Sequence, residues 1–230
     1  MKVGLIDVDG HHYPNLALMK LSAWHKAQGD EVEWWWGWGQ YDRVYMSKVF
    51  DETYSPDVQE PVNAAEIIKG GTGYGLDSKL PDEIEHIYPD YSLYPSLTKD
   101  TAYGFLTRGC PRGCHFCIVA AKEGRKSVKV ADLSEWWNGQ KNIVLMDPNI
   151  LACPQHMELL GQLADSKAWV DINQGLDCRL LTKQNIETIN RVKLREIHFA
   201  WDYMKESKAV LRGLELYAGL AGRKPHGQYA

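Results

Sequence analysis

Residues 108–117, Arg-Gly-Cys-Pro-Arg-Gly-Cys-His-Phe-Cys, place Cys110, Cys114 and Cys117 in one short loop. Three thiolates this close can converge on one metal centre, and soft sulfur ligands select zinc, copper(I) or an iron–sulfur cluster. Structural zinc sites usually offer paired C-x2-C segments that supply four ligands. Here the spacing is three residues and then two, with no adjacent fourth cysteine. A four-iron four-sulfur cluster held by only three thiolates would keep one iron open.

The C-x3-C-x2-C spacing, with the aromatic Phe116 just before the last cysteine, resembles the cluster loop of the radical S-adenosylmethionine superfamily. The resemblance implies an enzyme with a 4Fe-4S cluster, whose open iron binds the amino and carboxylate groups of S-adenosylmethionine. One electron from the cluster then cleaves the sulfonium and releases a 5′-deoxyadenosyl radical, which abstracts a hydrogen from a substrate. The resemblance also implies that the backbone beside Phe116 contacts adenine.

The composition is that of a globular cytoplasmic protein. Hydrophobic residues make up 44% and charged residues 24% of the 230 residues, so the chain can bury a core of one large or two small domains. The net charge of −4 gives no reason to expect a nucleic-acid partner. Five cysteines, three of them clustered, favour a reducing compartment over a disulfide framework. No apolar run reaches the roughly 20 residues of a membrane span.

The first hundred residues alternate between strand and helix patterns, which predicts a Rossmann-like (flavodoxin-like) parallel sheet with a doubly wound order. The predicted elements are strands over 2–8, 31–36, 43–49 and 65–69 and a helix over 15–28. We expect this domain to cover residues 1–75. Residues 76–100 are rich in Gly, Pro, Asp and Tyr, which predicts a linker.

Four tryptophans, Trp34, Trp35, Trp36 and Trp38, stand at the end of the second predicted strand. They are typical either of a buried strand end or of a stacking surface for a planar ligand.

A second alternation begins at residue 101. It predicts strands over 103–107, 142–146, 169–172 and 196–201 and helices over 133–138, 154–165, 183–192 and 205–220. The resemblance implies a partial (βα)6 barrel over residues 101–230, with its chemistry at the carboxyl ends of the strands. Only four βα units follow, so this is either a short member or a sequence that stops before strands five and six; the open parallel edge favours the second alternative. The fold class predicted is therefore α/β, a Rossmann-like sheet followed by a partial (βα) barrel that is either short or truncated.

Polar side chains follow three of the predicted barrel strands. Asp147 and Asn149 stand where superfamily members often have Gly-Gly-Glu, and a carboxylate there could accept the ammonium of S-adenosylmethionine; an Asx turn or helix cap is the alternative. Asn173, Asp177 and Arg179 could meet the ribose, the carboxylate or the substrate, although Asp177 and Arg179 could equally form an ion pair that orders a turn. Asp202 ends the fourth strand, where it either points into the same carboxyl end of the barrel or caps a helix.

The N-terminal domain resembles cobalamin-binding domains in Asp9-Gly10-His11, in Ser47 and in Gly70-Gly71. In those domains the histidine of Asp-x-His ligates cobalt. Pro14 stands where that motif has glycine. The broken motif favours a domain that keeps the fold without binding cobalamin.

The function predicted is an iron–sulfur enzyme that cleaves S-adenosylmethionine reductively and acts on an unknown small-molecule or peptide substrate. The alternatives are a cobalamin-dependent methyltransferase of the same superfamily and a non-catalytic zinc protein with Cys153 or Cys178 as the fourth ligand. Methylthio transfer is disfavoured because it usually needs a second cluster, and residues 1–109 contain no cysteine.

A basic cluster of Lys122, Arg125, Lys126 and Lys129 follows the cysteine loop. It suits an acidic electron donor such as a flavodoxin or ferredoxin, or it is simply an exposed loop.

Overall fold

The computed structural model describes residues 1–221 and divides into two units, Met1–Lys99 and Asp100–Ala230. Residues 222–230, the tail that follows the last predicted helix, lie outside the described residues. Each unit contains its own four-stranded parallel sheet. The predicted α/β class is therefore confirmed.

The N-terminal unit has a parallel sheet in the order β2-β1-β3-β4. Its elements are β1 (Lys2–Asp7), α1 (Leu16–Ala27), β2 (Glu31–Trp34), β3 (Tyr41–Ser47), β4 (Ala64–Gly70), α2 (Asp82–Glu85), a 3₁₀ turn (Tyr91–Leu93) and α3 (Pro95–Thr98). The chain adds β2 on one side of β1 and β3 on the other, so the predicted doubly wound order is confirmed. Helix α1 begins where the Asn15 side chain accepts a hydrogen bond from the Leu18 amide, at 3.2 Å.

Both faces of this sheet are covered by apolar side chains. Val3 and Leu5 of β1 pack with Leu18 and Leu21 of α1 on one face. Tyr41, Val44 and Met46 of β3 form a second cluster. A sheet covered on both sides explains the nearly continuous apolar runs that predicted the strands.

Residues 76–99, predicted to be part of a linker, instead pack as part of the N-terminal unit. Ile84 is buried in the cluster around β1 and α1, and Leu80 and Leu93 pack against it. Asp90 accepts hydrogen bonds from Ser22 Oγ and Lys26 Nζ, both at 2.6 Å. These contacts join residues more than 60 positions apart, which is why a local composition typical of loops did not reveal them.

The four tryptophans are divided between core and surface. Trp34 and Trp35 pack against the two apolar clusters. Trp36 is half exposed, and Trp38 is 89% exposed. The predicted buried strand end therefore holds for Trp34 and Trp35 and not for Trp36 and Trp38.

The C-terminal unit has a parallel sheet in the order β5-β8-β9-β10 and a short antiparallel pair, β6 with β7. Its elements are β5 (Thr101–Gly104), β6 (Thr107–Arg108), α4 (Val119–Lys122), β7 (Val128–Lys129), β8 (Asn142–Leu145), α5 (His156–Ser166), β9 (Trp169–Ile172), α6 (Lys183–Arg191), β10 (Lys193–Leu194) and α7 (Ser207–Leu220), with 3₁₀ turns at Leu133–Glu135, Ile150–Ala152, Cys178–Leu180 and Met204–Glu206. Successive parallel strands lie side by side, as in a barrel wall.

The strand predicted over 196–201 is wrong. The fourth strand is Lys193–Leu194, and further on the pairing is reduced to isolated bridge residues, Ile197 and Phe199, with Phe199 paired in parallel with Leu176. Residues 195–201 run beside a turn that begins where β9 ends at Ile172, and Leu176 N donates to His198 O at 2.8 Å. Because this partner segment is irregular, no extended ladder can form along 196–201.

Helices α5 and α6 pack against each other and supply buried apolar side chains to the second unit, with Leu159, Leu160 and Leu163 from α5 and Ile186 and Ile189 from α6. Thr182 and Asn185 form a capping box that begins α6. Among residues 1–221, none of the helices has the length and apolarity to cross a membrane.

Candidate functional site

The cysteine loop follows β5 and β6 and turns sharply at two glycines. Gly109 has a φ of +84°, and a Cβ there would lie 2.1 Å from the carbonyl oxygen of Lys126. Gly113 has a φ of +58°, with the Arg125 guanidinium against it. Neither position accommodates a side chain without strain, so these glycines define the path of the loop.

Residues 123–129 hold the beginning of the loop. Thr107 and Arg108 pair with Lys129 and Val128 across β6 and β7. Cys110 N donates to Gly124 O at 3.1 Å, and the Glu123 carboxylate accepts from Gly109 N at 3.1 Å and Arg108 Nη1 at 2.7 Å. The first cysteine is therefore anchored through its own backbone.

The three loop cysteines are free thiols. Cys110 and Cys114 are half-buried and Cys117 is exposed. Burial raises the pKa of the Cys114 thiol, against a lowering by the Arg112 charge, and the Cys110 and Cys117 thiols raise it further. Within residues 1–221 no three His, Cys, Asp or Glu side chains are arranged as a metal site. The three predicted iron ligands thus lie in one loop, but their side chains do not converge on a common centre in this structure.

The remaining two cysteines are buried elsewhere in the unit. Cys153 donates to Gln155 Oε1 at 3.2 Å, and Cys178 begins a 3₁₀ turn. Neither completes a four-thiolate group with the loop within the described part of the chain. The donor set of the loop itself, three thiols and no fourth, fits a cluster with one open iron better than a closed zinc site.

Asp147 lies after β8 and is completely buried, at 0% exposure. Its carboxylate accepts hydrogen bonds from Leu106 N at 2.7 Å, Thr107 N at 2.9 Å and Thr107 Oγ1 at 2.7 Å. Burial raises the pKa of Asp147 to about 6, although these bonds lower it. Since the carboxylate is occupied by the strand that leads into the cysteine loop, its placement favours an anchoring role over the predicted binding of an ammonium.

Asn149 joins the cysteine loop to the turn after β9. Its Nδ2 lies 3.6 Å from Cys110 Sγ and 3.3 Å from Asp177 Oδ2. The side chain is 4% exposed, and among residues 1–221 its Oδ1 is the buried side-chain polar atom that has no hydrogen-bond partner. A buried acceptor without a donor is costly, and it marks the place where a ligand could supply one.

Asp177 and Arg179 form the ion pair that was the alternative reading of their spacing. Arg179 Nε and Nη2 donate to the two Asp177 carboxylate oxygens at 2.8 and 2.6 Å. Burial raises the pKa of Asp177, but the bonds and charge of Arg179 outweigh it, so the pKa lies below its usual range. Arg179 Nη1 also donates to Glu206, which the sequence analysis missed because an acid before a helix resembles an ordinary first-turn residue.

Arg112 connects the cysteine loop to the residues before α7. Its guanidinium binds Asp202 at 2.9 Å and Glu206 at 3.2 Å. The predicted site residues Asn149, Asp177, Arg179 and Asp202 are thus joined to the cysteine loop through hydrogen bonds and ion pairs. Phe116 is exposed, with its ring 6.4 Å from that of Tyr203. Asn173 is exposed and is not part of this network.

In the N-terminal unit, the residues that resemble a cobalamin motif are bonded to the protein. The Asp9 carboxylate accepts from Val49 N at 2.6 Å and Phe50 N at 3.3 Å, and the His11 ring lies 4.1 Å from the Trp34 ring. Ser47 Oγ accepts from Asn15 Nδ2 at 2.9 Å. A Cβ on Gly71 would lie 2.2 Å from Lys48 O. Among the described residues, Asp9 is therefore hydrogen-bonded to backbone amides and not to His11.

No family model matches the chain. Among curated proteins, the ribosomal protein uS12 methylthiotransferase RimO of Christiangramia forsetii is 30% identical over 97 residues. That match covers 41% of this chain and 21% of the relative, so this chain corresponds to about a fifth of the relative's length.

Among solved structures, the radical S-adenosylmethionine methyltransferase TsrM of Kitasatospora setae, with cobalamin and a 4Fe-4S cluster bound, superposes with a TM-score of 0.64. Its sequence is 9% identical, and the match covers 95% of this chain and 64% of that protein. Because that structure holds cobalamin, the comparison does not support the expectation that this chain lacks it. This chain therefore shares the fold of that structure over nearly its whole length, and it has C-x3-C-x2-C in the loop that follows the first strand of its second sheet.

Proposed function

We propose that this protein is an iron–sulfur enzyme that cleaves S-adenosylmethionine reductively to a 5′-deoxyadenosyl radical and uses that radical on a substrate still to be identified. The observation that carries the proposal is the cysteine loop, with three thiols and two obligatory glycines, at the carboxyl edge of a parallel sheet. Loops at this edge hold the reacting groups in parallel barrels.

Cys110, Cys114 and Cys117 would hold a 4Fe-4S cluster. When bound, the cluster would supply the electron that cleaves the sulfonium. Asp147 holds the strand that enters the loop, and Glu123 and Gly124 hold Gly109 and Cys110 from the other side. The chain therefore positions the first thiolate through its backbone.

Two groups in the network suit the methionine part of S-adenosylmethionine. Asn149 Oδ1 is a buried acceptor without a hydrogen-bond donor, which an ammonium group could supply. Arg179 binds the Glu206 carboxylate in addition to that of its neighbour Asp177. A second carboxylate could replace Glu206 on the same guanidinium fork. We propose these two roles in place of the ammonium-binding role predicted for Asp147.

The electron must come from another molecule, and we propose an acidic flavodoxin or ferredoxin. Arg125 and Lys126 are exposed and have no carboxylate partner within residues 1–221, whereas Lys129 is paired with Asp132 and Glu158. The two unpaired cations line a cavity of about 430 Å³ that includes Pro111 of the cysteine loop. Their charge would attract an acidic donor close to the cluster.

Anaerobic reconstitution tests the proposal. We expect the reconstituted protein to convert S-adenosylmethionine to 5′-deoxyadenosine in the presence of dithionite and not in its absence, as measured by liquid chromatography. Reduced flavodoxin should replace dithionite, with a rate that falls as salt rises, because screening weakens the attraction. A colourless protein that binds one zinc and forms no 5′-deoxyadenosine would contradict the proposal, and failure of the flavodoxin arm alone would reject the partner.

Cobalamin-dependent methyl transfer is the second candidate, favoured by the cobalamin in the similar structure. We derive no step through cobalamin, because in the described part of the chain Asp9 is hydrogen-bonded to backbone amides and not to His11. If hydroxocobalamin is titrated into the protein, we expect the same corrin spectrum for the wild type and for His11→Ala. A spectral shift in the wild type that His11→Ala abolishes would show that His11 ligates cobalt. No shift in either protein would remove this candidate.

A further inference from the structure

We propose that Asn149 is a positioning residue that donates a hydrogen bond to the Cys110 sulfur and thereby sets the reduction potential of the cluster. The inference rests on the proposed function, because it requires Cys110 to ligate iron. Asn149 Nδ2 lies 3.6 Å from Cys110 Sγ, across 39 residues of sequence. Within residues 1–221 this is the side-chain hydrogen bond that reaches the first thiol of the loop from outside it.

The orientation of the Asn149 amide follows from its surroundings. Asp177 Oδ2 lies 3.3 Å from Nδ2, and the Asp177 carboxylate is kept ionised by Arg179 although burial acts against it. An ionised carboxylate only accepts hydrogen bonds. The amide must therefore turn its NH2 group toward Asp177 and Cys110, since the opposite orientation would face its oxygen against two acceptors.

The backbone of Asn149 is held independently of the cysteine loop's own conformation. Its carbonyl oxygen accepts from Ser127 Oγ at 3.0 Å and from Ala152 N at 3.2 Å. The side chain is 4% exposed, so it has little space to move away. The donor is thus fixed in place before any metal binds.

The unpartnered Oδ1 is the second observation that points to a ligand. An asparagine that only braced the fold would be expected to use both ends of its amide, whereas this one leaves a buried oxygen without a donor. The free-energy cost of this unpaired oxygen is explained if the amide is held in place for a ligand that binds beside Cys110.

The two arginines within the cysteine loop segment are engaged elsewhere. Arg112 is bound to Asp202 and Glu206, and Arg108 is bound to Glu123. Hydrogen bonds donated to ligating sulfurs stabilise the more negative, reduced form of a cluster and raise its potential. Asn149 therefore makes the cluster easier to reduce.

The test is a redox titration of the reconstituted full chain, followed by electron paramagnetic resonance. We expect Asn149→Leu to keep four irons per chain and to shift the midpoint potential to a more negative value than in the wild type. Asn149→Ser, whose hydroxyl is too short to reach the sulfur, should shift it in the same direction and serves if the leucine variant does not fold. Asn138→Leu is the matched control on an exposed loop and should leave the potential unchanged.

Equal midpoint potentials in the wild type, Asn149→Leu and Asn149→Ser would overturn this inference and leave the proposed function standing. A wild-type protein that binds no iron would overturn both. The two failures are therefore distinguishable by the iron content of the wild type.

Discussion

Alanine at Cys110, Cys114 or Cys117 is expected to reduce the iron bound after anaerobic reconstitution from about four atoms per chain to less than one. Each thiolate would hold one iron, and a cluster left with two protein ligands exposes two irons to solvent and falls apart. The iron content and the cluster absorbance at about 410 nm measure the loss together. Formation of 5′-deoxyadenosine should disappear in the same variants.

Cys153→Ala is the matched control for this series. Cys153 is buried, donates to Gln155 and lies outside the loop, so its variant should bind iron as the wild type does. If Cys153→Ala lost the metal as well, the site would have four thiolate ligands and no open corner. If a triple variant of the loop cysteines still bound four irons, the assignment of the ligands would be wrong.

Asp147→Ala is expected to lower the free energy of unfolding of the C-terminal unit by at least about 3 kcal/mol, because each buried donor left without an acceptor costs about 1–3 kcal/mol. The three donors are Leu106 N, Thr107 N and Thr107 Oγ1, and both residues are completely buried. Chemical denaturation of the protein without metal measures this effect. Thr107→Val, which removes one of the three bonds, should cost about 1 kcal/mol.

The difference in the free energy of unfolding between the wild type and Asp147→Asn is expected to depend on pH. The pKa of Asp147 is raised to about 6 in the folded protein, so the folded state holds the proton more tightly than the unfolded state. The stabilising contribution of Asp147 is therefore greatest below pH about 4 and decreases as the pH rises to about 6, by at most about 1.4 kcal/mol per pH unit. The stability of the wild type relative to Asp147→Asn should decrease over this range. A constant difference, together with a loss below 1 kcal/mol in Asp147→Ala, would show that Asp147 is not the anchor.

The predicted helices and strands were most accurate where periodicity was strong and the partner was regular. The strand predicted over 169–172 is exact, and the helix over 15–28 begins and ends one residue further in. The strand predicted over 196–201 failed because its neighbour, residues 173–176, is a turn. The apolar pattern of a segment reports its own tendency and contains no information on whether the neighbouring chain is extended.

In the candidate site, too, features set by local sequence were predicted and features set by distant contacts were not. The spacing of the cysteines in residues 108–117 was enough to predict the metal ligands, because spacing within one loop is a local property of the sequence. The roles of Asp147 and Asn149 were not predictable, since each depends on a contact with a residue about 40 positions away. Glu206 was missed for the same reason, since its carboxylate meets Arg179 and Arg112 only after β9, β10 and α7 are in place.

The sequence by itself determined the α/β alternation, the strand order of the N-terminal unit and the identity of the three thiols. Periodicity, glycine positions and ligand type act over a few residues, so they can be read along the chain. Only the tertiary structure decided that residues 76–99 complete the first unit, that Asp147 anchors the entry to the loop and that Asn149 faces Cys110. Those outcomes depend on which polar groups, far apart in the sequence, become buried next to each other. Buried polar groups form hydrogen bonds with the partners that the packing of the sheets and helices brings within reach.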